Sequence, residues 1–334
     1  MRIILNHKFE DIISVDNLLE AWQEFIRGKR NRMDVQMFSF NLMDNLLSLH
    51  YDLVGHKYKH GGYQKFKISD PKPRTIHKAS VRDRLLHRAV YRILYSFFDK
   101  IFISDSFSCR NGKGTHKALD RFKQFHGIVA KNKTRTCWVL RCDIKKFFAS
   151  VDQRILIKIL QKHIPDRATI NLLKEVIFSF KPNGLPLGNL TSQLFANIYL
   201  NELDQFTKHN LKVKHYIRYS DDFVVLSEDK CYLENLIPKV KEFLLKSLKL
   251  AVHPNKISIK TIYSGVDFLG WVNFSDYRVL RTKTKNRILA KIKENSSLEI
   301  LNSYLGLLNH GNAEKIRGII EERVFLWQSE LYEE

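Results

Sequence analysis

Two strand-like runs that end in carboxylates, held apart by helical sequence, constrain this chain more than anything else in it. The first, CWVLRCDIKKFFASVD, surrounds Asp143 with Trp138, Val139, Leu140 and Ile144. The second, HYIRYSDDFVVLSED, reads as two strands joined at Asp221 and Asp222, a hairpin with two adjacent acids in its turn. Between them lie helical patterns at 153–163 and 167–180, the loop KPNGLPLGN, and the apolar-rich helix LTSQLFANIYLNELDQFTKHN. Strand, helix, helix, hairpin describes an α+β unit with a split βαββ-type antiparallel sheet and packed helices. Neighbouring strands in such a sheet bring the acids at their ends together. Like charges a few ångströms apart raise one another's pKa, and a divalent cation is the usual remedy. A pair of Mg²⁺ ions, with Mn²⁺ as a substitute, would sit about 3.5–4 Å apart in such a site.

The flanks are mostly helical. Residues 16–60 carry apolar groups at helical spacing with stop signals at Gly28 and Gly55, and 62–78 alternate around the prolines Pro71 and Pro73, which mark a turn between two short strands. VRDRLLHRAVYRILYSFFDKIF reads as a long amphipathic helix with Leu85, Val90, Leu94 and Phe97 on one side and Arg82, Arg84, Arg88 and Arg92 on the other. After the acid hairpin come a helix over YLENLIPKVKEFLLKSLKL, short strands at 256–260 and 266–272, and a helical tail from about 282. No fixed-period repeat appears, which excludes a solenoid.

With 56 Lys+Arg against 35 Asp+Glu among 334 residues, the formal charge is +21. A surplus of that size, clustered at 27–32, 65–92, 131–135, 208–214 and 278–293 and interleaved with aromatics, fits a groove for a polyanion, with nucleic acid first. At 44% hydrophobic residues the chain is neither disordered nor fibrous. The four cysteines (Cys109, Cys137, Cys142 and Cys231) form no C-x-x-C pair, so reduced thiols are expected rather than a disulfide framework or structural zinc. No apolar run approaches a membrane span, and the N-terminal residues acquire acids too early for a secretory signal, so a protein that stays in the cytoplasm is expected.

Tyr219-Ser220-Asp221-Asp222 resembles the Y-x-D-D motif of reverse transcriptases, and Asp143-Ile144-Lys145-Lys146-Phe147-Phe148 resembles their first palm motif. The similarity continues in order over roughly residues 60–310, through Lys72-Pro73-Arg74, Arg82-Asp83-Arg84, Ser106-Phe107-Ser108-Cys109-Arg110, Gly188 with Ser192, Lys256, Phe268-Leu269-Gly270 and Ser303-Tyr304-Leu305-Gly306. It implies a right-hand polymerase fold: N-terminal helices and fingers over 1–135, a palm with the carboxylates over 136–272 and a short helical thumb over 273–334. By the same resemblance Asp143 and Asp221 are the principal metal ligands, with the Ile144 backbone carbonyl, and Asp222 is an auxiliary acid. Arg74 is the fingers arginine that clamps the triphosphate of an incoming dNTP, with Lys65, Lys67 and Lys72 close by. Phe148 is the aromatic beneath the sugar that excludes a 2′-hydroxyl; Phe147 is expected to alternate into the core of a strand. Lys256 matches a lysine that protonates departing pyrophosphate. Template RNA and the cDNA or primer strand are expected at Arg82, Arg84, Arg110, Phe268, Leu269, Gly270, Tyr304 and Gly306.

The loop before the 190s helix separates subfamilies. Most reverse transcriptases carry Gln-Gly there and Ser-Pro four residues after the Gly, whereas this chain reads Leu187-Gly188-Asn189-Leu190-Thr191-Ser192-Gln193. That variant is similar to the enzymes of diversity-generating retroelements of bacteria and their phages. The resemblance implies error-prone copying of a template-repeat RNA opposite adenines, mutagenic retrohoming into a variable repeat, and a small basic accessory variability protein that forms a ring. The helices over Leu18 to Leu53 and the helix near Arg82 to Arg92 are the surfaces expected to receive that protein. No RNase H, maturase or endonuclease segment is expected after the thumb on this reading. A group II intron- or retron-type reverse transcriptase, and a non-catalytic RNA-binding factor on the same palm, are the alternatives.

Overall fold

Helices α1 (Phe9–Ile13), α2 (Val15–Phe25), α3 (Met33–Phe40) and α4 (Leu42–Val54) precede a two-stranded antiparallel hairpin, β1 (Tyr63–Ile68) and β2 (Arg74–Ala79). The computed structural model describes residues 3–69, 72–294 and 297–332. Pro71 of the expected turn, and Glu334 at the expected end of the thumb, lie outside the described residues. The Ser80 hydroxyl accepts from the Asp83 amide and starts α5 (Val81–Phe98), supplying one of the bonds that a helix N-terminus lacks. Leu85, Leu86, Ala89, Val90 and Leu94 face inward and are fully buried. The arginine side of α5 is covered: Arg82 pairs with Asp52, Arg84 with Asp34, and Arg92 with Glu20 and Glu24, all from the N-terminal helices. Arg82 and Arg84 are thus spent on joining helices, and the stretch Arg82 to Arg92 is no open docking surface.

The central sheet is antiparallel with strand order β4-β5-β3-β6, built from β3 (Trp138–Asp143), β4 (Tyr216–Tyr219), β5 (Asp222–Ser227) and β6 (Ser258–Thr261). Strand alternation sends Leu140, Cys142, Phe223 and Val225 to one face and Val139, Val224 and Leu226 to the other. The first face packs on α10 (Leu190–Gln205) and α11 (Lys230–Leu248), with α7 (Phe147–Ser150), α8 (Gln153–Gln161) and α9 (Arg167–Phe178) in the same core as α5. The second face is closed by α6 (Thr115–Val129), through Leu119 and Phe122. Helix α6 packs against β4 and β5, so a boundary at 135 would sever it from the sheet that it covers.

A separate three-stranded sheet, β7 (Val266–Phe268), β8 (Trp271–Asn273) and β9 (Arg278–Leu280), leads to α12 (Thr282–Glu294), α13 (Leu298–Leu308) and α14 (Glu314–Tyr332). Trp271, Ile288, Leu301 and Ile316 share the core of α6. The expected boundary between 272 and 273 therefore falls inside β8. This last unit closes over the Val139 and Val224 side of the central sheet. No helix among the described residues is long and apolar enough to cross a membrane.

Candidate active site

The acids meet where the sequence places them. Asp143 ends β3 and lies directly across from Asp222, the first residue of β5. Asp221 is in the two-residue turn before it, and its carbonyl accepts from the Ile144 amide at 3.1 Å. The register puts Asp143 and Asp222 on the face closed by α6 and the last helices, at the end of the sheet. Burial, with the charge of Asp143 added, raises the Asp221 carboxyl above its ordinary range.

Asp222 and Asp143 each already hold a cation. Arg141, two residues before Asp143 on the same strand face, grips Asp222 with both Nε (3.1 Å) and Nη2 (2.8 Å), and its Nη1 lies 3.5 Å from Asp267. Burial raises the Asp222 carboxyl, and the Arg141 bonds work against that. Lys256, at the end of the 3-10 turn Pro254–Lys256, donates from Nζ to Asp143 Oδ1 at 2.8 Å. Sequence reasoning missed Arg141. Period-two alternation puts Arg141 on the face of Asp143, but nothing near it in the sequence points to its partner Asp222.

Around the acids, the short helix α7 replaces the expected strand continuation. Lys146 sits at φ +46°, and the left-handed residue turns the chain so that Phe147 and Phe148 leave the sheet on a helical turn. Phe147 is buried as expected and Phe148 is half-buried, its carbonyl accepting from the Leu185 amide at 2.7 Å. The loop before α10 docks on the fingers hairpin: His77 donates its amide to the Leu187 carbonyl at 2.9 Å, and Asn189 Nδ2 donates to the His77 carbonyl at 2.8 Å. Gly188 is at φ +103°, and a Cβ there would stand 2.5 Å from Ile76 Cγ2, so only glycine allows this approach. Ser192 is buried and Gln193 exposed on α10.

The hairpin register divides the expected phosphate-binding set. Arg74 lies opposite Ile68, on the face of Phe66, Ile76 and Lys78, whereas Lys65 and Lys67 share the face of His77 and Thr75. All of Lys65, Lys67, Lys72 and Arg74 are exposed. Farther out, Arg110 is an internal brace: it donates to Asp99 and to the carbonyls of Ile103 and Ser106. Phe268 is a core residue with its ring 5.7 Å from that of Phe122. At the tip of that hairpin Leu269 (φ +52°) and Gly270 (φ +87°) are half-buried, Leu269 against the same core, and both positive angles suit a two-residue turn. Neither Arg110 nor Phe268 is available to a nucleic acid strand. On α13, Tyr304 is half-buried and Gly306 is exposed, with open space where a Cβ would stand.

Among the described residues no three His, Cys, Asp or Glu side chains converge as a ligand set. Asp143 and Asp221 nevertheless fit a divalent cation: they are two adjacent carboxylates, and the raised Asp221 carboxyl is a group whose charge lacks compensation. Asp222 does not complete a third ligand while Arg141 holds it. A cation here takes two carboxylates from the chain and the rest of its oxygens from elsewhere.

Residues 59–273 match the family described as reverse transcriptase (RNA-dependent DNA polymerase). The chain is 25% identical over 311 residues to protein YkfC of Escherichia coli K12, covering 80% of this chain and 78% of that one. It is 24% identical over 311 residues to the group II intron-encoded protein LtrA of Lactococcus lactis, covering 70% of this chain but 50% of LtrA. Among solved structures, telomerase from Candida tropicalis in complex with a fragment of telomeric RNA superposes with a TM-score of 0.51 at 12% identity, over 84% of this chain and 56% of that one. The match extends to the right-hand arrangement of the fold. The chain thus spans most of YkfC and about half of LtrA and of the telomerase chain.

Proposed function

The chain belongs to the reverse transcriptase family of RNA-dependent DNA polymerases, and from that premise we propose that it copies a template-repeat RNA into error-prone cDNA for a diversity-generating retroelement. One observation carries the polymerase chemistry: Asp143 and Asp222 are paired across adjacent strands, with Asp221 in the β4–β5 turn just before Asp222. Asp143 and Asp221 hold the divalent cation, Mg²⁺ in two copies on this reading. When bound, the cation supplies acidity to the primer 3′-hydroxyl and charge neutralisation at the pyrophosphate. Arg74, with Lys72 and Lys65, receives the triphosphate oxygens, and Phe148 bounds the sugar. Lys256, 2.8 Å from Asp143 Oδ1, is close enough to the metal-holding acid to donate a proton to the leaving group.

The subfamily rests on Leu187. Its carbonyl is fixed to β2 while its side chain is only half-buried, so the branch that replaces a glutamine amide stands beside the hairpin that bears Arg74. Loss of an amide that would hydrogen-bond a correctly paired nucleotide lowers the penalty for a wrong one. The similarity to LtrA favours a second reading, a group II intron-type enzyme with ordinary fidelity. Primer extension on an RNA template decides between them. Error-prone incorporation opposite adenine by the native chain, reduced in Leu187→Gln, supports the first; equal misincorporation ratios support the second. Asp221→Ala abolishes extension under either, and persistence of activity in that variant rejects the site.

The proposed accessory protein docks on α3 rather than α5. The arginines of α5 are paired, whereas Met33, Met37 and Phe40 on α3 are 72%, 70% and 89% exposed. The bacterial cytoplasm is the proposed place of action.

A further inference from the structure

The strand that leads into the acid turn carries a charge that stability alone does not explain. Arg218 on β4, three residues before Asp221, is completely buried, as is its partner Asp204 on α10. Its Nε donates to Asp204 Oδ1 at 2.7 Å and its Nη2 to Oδ2 at 2.6 Å, while the Tyr216 hydroxyl donates to the same carboxylate at 2.8 Å. Withdrawing two charges from water is expensive, and apolar side chains of similar volume commonly hold a core at least as well. An ion pair placed here has some other use.

The remaining nitrogen shows it. Arg218 Nη1 donates to the Ser220 carbonyl at 3.1 Å and to Asn197 Oδ1 at 3.2 Å, and Asn197 Nδ2 donates to the Ser108 carbonyl at 2.8 Å. Ser220 stands at φ +55°, a left-handed conformation that a residue other than glycine keeps only when its surroundings impose it. The backbone of Arg218 is pinned as well, its amide donating to the Asp105 carbonyl and its carbonyl accepting from the Phe107 amide, both at 3.0 Å. One edge of the guanidinium, Nε and Nη2, is thus fixed to Asp204 of α10, and Nη1 joins Asn197 of the same helix to the turn. A lysine has no fork with which to do both.

We propose that Arg218 is the positioning residue that locks the Ser220 turn to α10 and so aims the Asp221 carboxylate into the site. The proposal rests on the reading of Asp221 as a metal-holding acid. It also joins the two halves of the site, because α10 begins at the loop bearing Leu187 and Gly188 and carries Asn197 and Asp204 farther along the same rod.

The test replaces the charged set by an apolar one, Arg218→Met with Asp204→Leu and Tyr216→Phe, in the full chain. Such a core melts at or above the wild-type midpoint. With the turn released, kcat for primer extension falls about 10²-fold while the dNTP KM stays within about twofold. The dissociation constant for Mn²⁺, read by electron paramagnetic resonance without substrate, rises about tenfold. Arg218→Lys, which keeps a charge against Asp204, is the second arm and shows the same split between kcat and KM. A folded variant in either arm with wild-type kcat and Mn²⁺ affinity overturns the proposal. Failure of both arms to fold assigns Arg218 to core stability alone and overturns it too. A wild-type chain that binds Mn²⁺ but extends no primer would instead count against the polymerase reading, and the Mn²⁺ comparison would still score Arg218.

Discussion

The base of the fingers hairpin holds a histidine pair whose protonation can be worked out from its bonds. His60 Nδ1 faces the Gly61 carbonyl at 2.6 Å and so carries a proton, and His60 Nε2 lies 3.1 Å from His87 Nε2. His87 Nδ1 is buried with no partner. Protonated His87 would carry a proton at that Nδ1 with no acceptor for it. Burial, with His60 beside it, accordingly lowers the His87 pKa from 6.5 to about 3. A histidine depressed in the folded state contributes stability that is whole above the unfolded pKa and is lost as pH falls below 6.5 toward 3. Between pH 7 and pH 5 the difference from this one residue is about 2 kcal/mol. Four other histidines (His77, His116, His126 and His215) are shifted in the same direction, so the informative quantity is wild type minus His87→Leu. Because the chain has two cores, hydrogen exchange of the α5 amides measures it better than a global melt. Wild type should lose α5 protection between pH 7 and 5 by about 2 kcal/mol more than the variant. Equal losses would show that His87 is not held neutral by its burial and would refute that account of the pair.

Removal of the Asp221 charge should stabilise the protein when divalent ions are chelated. The raised Asp221 carboxyl keeps its proton to higher pH than in the unfolded chain, so stability falls as pH climbs through the carboxylate range. Asp221→Asn therefore melts higher than wild type in EDTA at pH 7, the gain vanishes at pH 3, and added Mg²⁺ lifts the midpoint of wild type alone. Arg141→Met strands the Asp222 carboxylate, whose side chain is 16% exposed, and costs about 2–3 kcal/mol in urea unfolding; no change would mean that solvent already screens the pair. Gly188→Ala forces a Cβ against Ile76 and into a φ of +103°, so the hairpin shifts and the dNTP KM rises, with a stability cost of about 1–3 kcal/mol. Lys65→Glu with Lys67→Glu should flatten the dependence of log K on log salt for RNA binding, by about one unit for each phosphate that is no longer neutralised. Arg84→Glu should leave that slope alone and instead lower the melting midpoint, because Arg84 is bonded to Asp34.

The acids were legible because alternation and a turn are local properties. Asp143 ends a strand and Asp221 sits in the two-residue turn before another, features that six or seven neighbouring residues define, and antiparallel pairing of β3 with β5 then brings them together. What was illegible depended on partners remote in the chain. Nothing around Arg84 announces Asp34, fifty residues earlier, and nothing around Arg141 announces Asp222, 81 residues later. Phe268 stands in a motif position yet faces inward for the same reason, its ring claimed by Phe122 of α6, whereas Arg110 is claimed by the nearby Asp99 and by the carbonyls of Ile103 and Ser106, a loop geometry that periodicity does not show. The strand reading of Phe147 and Phe148 failed on a single dihedral, at Lys146, a residue type that gives no hint of left-handed backbone.

The surplus of positive charge is what remains after every acid is counted, so where it lies bears on a polyanion more than how many cations are paired. The α5 arginines neutralise acids of the N-terminal helices, Arg141 and Arg218 neutralise acids at and behind the catalytic turn, and Arg281 pairs with Asp267 at the entry to α12. These cations hold lobes and carboxylates in place, and none is free to meet a phosphate. The charge left over is on exposed lysines and arginines: Lys65, Lys67, Lys72 and Arg74 on the hairpin, Arg27, Arg30 and Arg32 after α2, and Lys283, Lys285 and Lys293 on α12. The hairpin and α12 belong to the two units that flank the catalytic sheet. Paired arginines, whose planar forks fix geometry, hold the lobes and acids, while the exposed lysines, hydrated point charges on flexible stems, can hold the backbone of a moving strand without fixing it. That division of labour suits an enzyme that translocates along its template after every addition, since a groove lined by rigid bidentate bonds would resist each step.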